Sequence, residues 1–401
     1  FGLPLAGHKD NHAGLMTPEQ MGVLKRSHNI EDGTEWDLFS GLDVEGGVLQ
    51  RFLDDVPFAK REKPKRRSAP VPVQAIAPTG DKKTSTQITF GKVMNMLGKR
   101  DDDLSARIVT TSPDVTVSTN LSGWVNQRGL FQRQEHKDAF RTEKVASPIK
   151  WEKSPSGQHL ELGIAENNLF LMLAAMGLSE QLFGGRLIPV GTLYDTFISR
   201  GLDALNYACY QDARFIVVGT PSGITLAPEG GAHQSIATPL IGMSQDGLAT
   251  FEPTYADELA IIIEWAFDYV QRDGNGEQKI AWLRDAEGGS VYMRLSTLVL
   301  EQPARTLSEQ QRSDILAGGY WIKEPETGAD LAIAYTGVMA PEANKAWQEI
   351  INTHPGAGLL AITSADRLNA GWNAAQKARQ MGELDAQSHV EGLLAPLARQ
   401  A

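Results

Sequence analysis

The sequence is poor in cysteine, in long hydrophobic runs and in positive charge, and each shortage narrows what the protein can be. Its single cysteine, Cys209, excludes an internal disulfide framework and a sulfur-rich metal site, and it fits a reducing compartment, so we expect a cytoplasmic protein. No apolar run approaches the length of about 20 residues that a membrane span needs, so we expect no membrane association. The net charge of −11 argues against a nucleic-acid partner, because a phosphate backbone binds to clustered positive charge.

What the sequence does contain is typical of a folded globular protein of several domains. Hydrophobic residues make up 41% and charged residues 22% of the 401 positions, close to the averages for globular proteins, and the length suits two or three domains. The chain begins at Phe1 without an initiator methionine and ends at Ala401 just after an apolar stretch, so we expect a piece of a longer enzyme.

Composition divides the chain into four predicted parts. Residues 1–30 are rich in Gly and His and predict a loop-like tail, and 31–83 predict a linker with one short helix at 47–54. A run of Lys and Arg at 60–67 within that linker could dock an acidic partner or could be a solvated connection. We expect one domain at 84–305 and a second at 306–401 that is truncated.

Strand-like and helix-like segments alternate after the linker, which predicts an α/β fold with a parallel sheet flanked by helices, followed by a second α/β domain. In the first domain the predicted strands are 107–111, 187–190, 215–218, 249–252 and 291–295, and the predicted helices are 88–97, 166–176, 196–208 and 259–267, the last with Thr254 as its cap. In the second domain the predicted strands are 318–323, 330–336 and 358–363, around a helix at 341–351.

The strongest local motif is Glu-Leu-Gly-Ile-Ala-Glu at 161–166, where a glycine turn delivers the Glu166 carboxylate to the start of an apolar helix. The helix dipole alone would stabilise such a carboxylate by about 0.3–1 kcal/mol, so an ordinary structural role stays open. Two further motifs follow: Tyr194-Asp195-Thr196-Phe197, and Glu-Gly-Gly-Ala-His-Gln at 229–234, which contains His233.

This order of motifs resembles the pyrimidine-binding domain of transketolases and of the decarboxylating first component of homodimeric pyruvate dehydrogenases. The resemblance covers about 84–300, and residues 85–90 and 95–97 are more similar to the pyruvate dehydrogenase branch. It implies the thiamine-diphosphate pyrimidine-binding fold with a transketolase-like carboxyl-terminal domain, and it implies thiamine diphosphate as the cofactor.

The resemblance also implies roles for three residues. Glu166 would hydrogen-bond a ring nitrogen of the cofactor's aminopyrimidine, and for that role it should be shielded from water so that it can hold a proton near neutral pH. Tyr194 and Phe197 would offer a ring on which the pyrimidine stacks. Their spacing puts both rings on one face if the segment is helical; ordinary core packing would explain either ring alone, but explains the pair less well.

Three more residues match positions close to the reacting centre in these families. His233 follows the predicted strand 215–218, at the strand end where ligands collect in open α/β sheets, and would contact substrate; a solvated or capping histidine is the alternative. Asp114 would be an acidic group near the reaction, or else a turn-capping aspartate. His12 matches a histidine loop that closes over the active site; a metal site with His8 is disfavoured by the neighbouring glycines.

The families' Gly-Asp-Gly motif for the diphosphate and magnesium has no convincing copy here, and Asp273-Gly274 begins only a polar turn. We therefore predict no metal ligands in this chain and expect Mg²⁺ and the diphosphate to be bound by a missing amino-terminal domain. In these families the cofactor lies between two subunits, which implies a homodimer.

The preferred interpretation is oxidative decarboxylation of a 2-oxo acid, pyruvate above others, with acyl transfer to lipoamide on a partner dihydrolipoamide acyltransferase; the fragment alone should be inactive. A transketolase that moves two-carbon units between sugar phosphates is the first alternative. A non-catalytic dimerisation or assembly module that keeps the fold without the cofactor is the second.

Overall fold

The structure is a computed structural model that describes residues 6–11, 14–56, 68–134, 151–225, 230–274 and 283–399. The chain divides into two compact units, Phe1–Lys65 and Arg66–Ala401. The predicted domain boundaries remain predictions.

The first unit carries a short 3-10 helix, Lys9–Asn11, and two α-helices, α1 (Pro18–Ser27) and α2 (Gly46–Asp55). The prediction of a loop throughout 1–30 is wrong, because α1 lies within it. Thr17 caps this helix by accepting a hydrogen bond from the Gln20 N–H, and the Gln20 side-chain oxygen accepts one from the Thr17 N–H. The short helix predicted at 47–54 is confirmed by α2.

The second unit contains thirteen strands among its described residues. They are β1 (Lys83–Thr84), β2 (Ile108–Ser112), β3 (Leu130–Phe131), β4 (Lys153–Ser154), β5 (His159–Glu161), β6 (Ile188–Leu193), β7 (Ile216–Gly219), β8 (Leu248–Phe251), β9 (Ser290–Arg294), β10 (Leu300–Glu301), β11 (Gly319–Lys323), β12 (Ala332–Thr336) and β13 (Gly358–Ile362).

Its α-helices, again within the described residues, are α3 (Thr86–Gly98), α4 (Asp103–Arg107), α5 (Ser122–Arg128), α6 (Glu166–Gly177), α7 (Ser179–Phe183), α8 (Leu202–Tyr210), α9 (Thr238–Met243), α10 (Ala256–Tyr269), α11 (Glu309–Ala317), α12 (Ala340–Ile350), α13 (Ala365–Gln380) and α14 (His389–Leu394).

Eight strands form one sheet in the order β4-β3-β5-β2-β6-β7-β9-β8, and every neighbouring pair is parallel. Alternate residues of β7 point to opposite faces: Ile216 and Val218 join one hydrophobic cluster, while Val217 joins another. Helices cover both faces, as a parallel sheet requires, because Phe90 of α3 lies in the first cluster and Phe170 of α6 in the second. The predicted parallel α/β fold is confirmed.

A smaller mixed sheet follows, in the order β11-β13-β12, with β11 antiparallel and β12 parallel to the central strand. This sheet confirms the predicted second α/β layer. Strands β1 and β10 form a separate antiparallel pair.

Two details of the predicted helices are corrected. The cap of α10 is Tyr255 rather than Thr254, and the buried Glu258 carboxylate accepts the N–H groups of both residues. The predicted helix at 196–208 is a 3-10 helix, Asp195–Gly201, followed by α8.

Candidate active site at the carboxyl ends of the parallel strands

The candidate residues that the structure describes lie just beyond the carboxyl ends of strands in the large sheet. Glu166 starts α6 a few residues after β5, Tyr194 follows β6, His233 lies in the connection after β7, and Asp114 follows β2. The carboxyl ends of parallel strands share one edge, and ligands of open α/β sheets bind at that edge. The sheet topology therefore gathers residues that are far apart in sequence.

Glu166 is the first residue of α6, and its side chain is only 9% exposed. Its Oε1 accepts a hydrogen bond from Arg200 Nη1 at 2.9 Å, which forms an ion pair, and the amino end of the helix adds favourable partial positive charge. Within the described residues, Oε2 has no hydrogen-bond partner. The carboxylate is thus shielded and held at one oxygen, and the other oxygen is available to a ligand.

Tyr194, Phe197 and His233 form a cluster of rings. The Tyr194 and Phe197 rings stack with centroids 6.0 Å apart and planes 27° apart. The His233 ring meets Tyr194 at 5.5 Å and Phe197 at 5.6 Å, in both cases edge-on. Tyr194 is the extended residue just before the 3-10 helix Asp195–Gly201, and its carbonyl accepts the Phe197 N–H at 2.8 Å, so the two rings lie on one side of this turn.

Arg200 joins this cluster to the carboxylate. Its guanidinium carbon lies 3.6 Å from the Phe197 ring centroid while its Nη1 pairs with Glu166. Sequence reasoning missed Arg200, although its position three residues after Phe197 is a usable signal for a shared face. A carboxylate, a guanidinium, two aromatic rings and an imidazole therefore follow one another across the strand ends. Such a group can bind a flat heteroaromatic ring and move a proton beside it.

Asp195, also missed by the sequence analysis, directly follows Tyr194 of this cluster and is fully buried. It accepts hydrogen bonds from the hydroxyls of Ser235, Thr238 and Tyr292 and pairs with Arg294. Burial, and then the nearby Asp195 charge, raise the pKa of Tyr292 well above its ordinary value, so the phenol remains a donor. These donors satisfy both carboxylate oxygens of Asp195, and a buried polar atom without a partner would cost free energy.

Asp114 lies at the same edge but outside the ring cluster. Its backbone has a left-handed φ of +67°, and its N–H donates to Glu161 Oε1 at 2.7 Å. Burial acts to raise the pKa of Glu161, but hydrogen bonds from His159, Thr116 and the Asp114 N–H lower it below its ordinary value. The structure therefore joins Asp114 to Glu161.

Several predicted features lie outside the described residues: His12, the basic run 60–67, and residues 226–229 and 275–276. Where the structure does describe the chain, no group of three His, Cys, Asp or Glu side chains is arranged to hold a metal ion. Nor does that part of the chain include a helix long and apolar enough to cross a membrane.

Some known proteins are similar to this chain in sequence, and others are similar to it in fold. Residues 73–277 match the family described as the pyruvate dehydrogenase E1 component middle domain. The pyruvate dehydrogenase E1 component of Pseudomonas aeruginosa is 25% identical over 79% of this chain and 35% of its own length. A 6-deoxy-6-sulfo-D-fructose transketolase subunit from a Clostridium species is 27% identical over 54% of this chain and 59% of its own. A Pichia stipitis transketolase in complex with sedoheptulose-7-phosphate has a TM-score of 0.55, at 15% identity over 88% of this chain and 42% of that one.

The sequence matches place the chain in the thiamine-diphosphate-dependent, transketolase-like superfamily, and its parallel α/β sheet has the fold of the solved transketolase. Within that superfamily, the chain belongs to the family of the pyruvate dehydrogenase E1 component middle domain. It spans about a third of the length of the pyruvate dehydrogenase relatives from P. aeruginosa and Mycolicibacterium smegmatis.

Proposed function

We propose that this chain supplies the pyrimidine-binding half of a thiamine-diphosphate site in an enzyme that decarboxylates a 2-oxo acid, pyruvate above others, and passes the acyl group to lipoamide on a dihydrolipoamide acyltransferase. The observation that carries the proposal is the line Glu166–Arg200–Phe197–Tyr194–His233 at the carboxyl edge of the sheet. The family membership supports the same cofactor.

The residues fit the pyrimidine half of the cofactor. Glu166 Oε2 is left to meet a protonated ring nitrogen, and Tyr194 with Phe197 offers a flat apolar surface for the ring. When bound, thiamine diphosphate supplies the electron sink that a decarboxylation needs. His233 lies against both rings, where its imidazole can donate to, or accept from, the substrate's oxygens. The proposal assigns the diphosphate and Mg²⁺ ligands to a separate domain and the complete site to a homodimer.

Glu166→Gln tests the assignment in the full enzyme. The amide keeps the shape and the contact with Arg200 but cannot exchange a proton with a ring nitrogen, so we expect turnover to fall by about 10²–10⁴-fold with the fold intact. The measurement is reduction of an artificial electron acceptor that depends on pyruvate, thiamine diphosphate and Mg²⁺.

Glu180→Gln is the matched control. Glu180 also pairs with an arginine, Arg186, but it lies beyond the far end of α6 and should be dispensable for turnover. Near-normal activity of Glu166→Gln would refute the role of Glu166.

Transketolase chemistry is the second candidate, because the Clostridium transketolase subunit matches over more than half of this chain. Two-carbon transfer between sugar phosphates, with no response to pyruvate in the same preparation, would favour it. Silence in both assays would favour another 2-oxo acid or an assembly module that does not bind the cofactor.

A further inference from the structure

A buried charge network lies beneath the ring cluster, and Asp195 is its centre. The side chain of Asp195 is fully buried at the carboxyl end of β6, directly after Tyr194. Its Oδ1 accepts the Tyr292 hydroxyl, and its Oδ2 accepts Thr238 Oγ1 at 2.6 Å and the Ser235 hydroxyl. Asp195 therefore connects β6 to β9 and to the segment that carries His233.

Two of these donors, Ser235 and Thr238, belong to residues 230–238, which we call the His233 segment. Ser235 lies two residues after His233 and is buried, and besides donating to Asp195 its hydroxyl accepts the Gly223 N–H at 2.9 Å. The Ser235 N–H donates in turn to the Gly223 carbonyl at 2.9 Å. Thr238, also buried, is the first residue of α9, which ends the segment. Ser235 and Thr238 thus anchor the residues that follow His233, while His233 itself remains partly exposed.

The other side of the network carries the compensating charge. Arg294, at the end of β9, reaches Asp195 Oδ2 with Nε and Nη2, each at 3.4 Å, and also pairs with Glu252 after β8. The carboxylate packs closely against β7, because a Cβ on Gly219, at the end of that strand, would lie 2.3 Å from Asp195 Oδ1. The network therefore links the carboxyl ends of four neighbouring strands.

We propose that Asp195 is a positioning residue that holds the His233 segment against the rings of Tyr194 and Phe197. Asp195 acts through Ser235 and Thr238 and does not touch the ligand. The geometric part of this proposal, that Asp195 holds the His233 segment in place, is argued from the contacts alone. Its catalytic consequence, that His233 is thereby placed for the substrate, rests on the proposed function.

Ser235→Ala tests the geometric part without a cofactor, and it is a mild change that leaves the Asp195 charge paired with Arg294. We expect backbone hydrogen–deuterium exchange at residues 230–237 to accelerate by about tenfold, because both hydrogen bonds of the Ser235 hydroxyl, to Asp195 and to the Gly223 N–H, are lost. Ser105→Ala is the matched control: Ser105 is also buried and donates to the Leu97 carbonyl at 2.9 Å, but it lies in α4 and has no contact with the Asp195 network. It should leave exchange at 230–237 unchanged.

The catalytic consequence is tested in the full enzyme. With Ser235→Ala we expect the KM for pyruvate to rise about tenfold while the affinity for thiamine diphosphate stays within about twofold, since Tyr194 and Glu166 are untouched. Asp195→Asn should raise both the KM for pyruvate and the Kd for thiamine diphosphate, because it also loosens the segment next to Tyr194.

Unchanged exchange at 230–237 in Ser235→Ala would overturn the positioning role, whatever reaction the enzyme catalyses. Accelerated exchange together with an unchanged KM would overturn the catalytic consequence. Accelerated exchange in a protein that binds no thiamine diphosphate would support the positioning role and refute the proposed function instead.

Discussion

Replacing Asp366 with asparagine should stabilise the protein near neutral pH and have little effect in acid. Asp366 lies in the first turn of α13. Its Oδ2 accepts the N–H of Thr250, a residue of β8 in the large sheet, at 3.0 Å. Burial raises the pKa of Asp366 from 3.8 to about 6. Because the folded pKa exceeds the unfolded pKa, the folded state prefers the protonated acid. The stability that this preference contributes is present below about pH 4 and is lost as the pH rises through about 6.

The difference between the folded and unfolded pKa of Asp366 sets how much the free energy of unfolding should change. A shift of about 2 units corresponds to about 3 kcal/mol between ionised and neutral forms, which is an upper limit for the cost of ionised Asp366 at about pH 7.5. Asparagine keeps an oxygen for the Thr250 N–H and carries no charge. We therefore expect Asp366→Asn to raise the free energy of unfolding by about 1–3 kcal/mol at about pH 7.5 and by less than about 1 kcal/mol at about pH 4.

Urea unfolding followed by tryptophan fluorescence at both pH values measures this difference, and Trp265, which contacts Arg367, is a local reporter. Asp385→Asn is the control, because Asp385 is exposed and should show no such dependence on pH. A gain that is the same at both pH values, or no gain at about pH 7.5, would refute the reasoning.

Three further substitutions test the packing. Gly219→Ala should lower the urea midpoint, with a loss of about 1–3 kcal/mol, because its Cβ would lie 2.3 Å from Asp195 Oδ1; an unchanged midpoint would contradict the packing at this strand end. Gly371→Ala should raise the free energy of unfolding by about 0.5–1 kcal/mol, since Gly371 lies inside α13 and its Cβ would meet only Leu283 Cδ1 at 3.5 Å; a lower urea midpoint would argue against that space. Tyr320→Phe should cost about 1–3 kcal/mol in thermal unfolding, because it removes a donor to the fully buried Glu258, and wild-type stability would speak against that bond.

Elements with a clear hydrophobic pattern could be predicted from the sequence, and short or distant features could not. The runs around Ile188 and Ile216 predicted central strands because a parallel sheet is buried on both faces. The two-residue strands β3 and β4 are too short to have a period. Helix α1 was missed although Thr17 and Gln20 have the spacing of a capping box.

In the candidate site, too, local features could be predicted from the sequence and contacts between distant residues could not. The spacing of Tyr194 and Phe197 predicted a shared face because it is local. The role of Asp195 could not be predicted, because its partners lie far away in sequence: Tyr292 is 97 residues distant and Ser235 is 40. Arg200 pairs with Glu166 across 34 positions, and only the sheet topology brings the two together.

The most direct test of the central claim is exchange of the reactive C2 proton of thiamine diphosphate bound to the full enzyme, followed by NMR after quenching in acid. We predict that the wild-type enzyme accelerates this exchange and that Glu166→Gln binds the cofactor yet loses about 10²–10⁴-fold of the rate, while Glu180→Gln retains it. Equal exchange rates in the wild type and Glu166→Gln would contradict the assignment of Glu166 and of the site built around it.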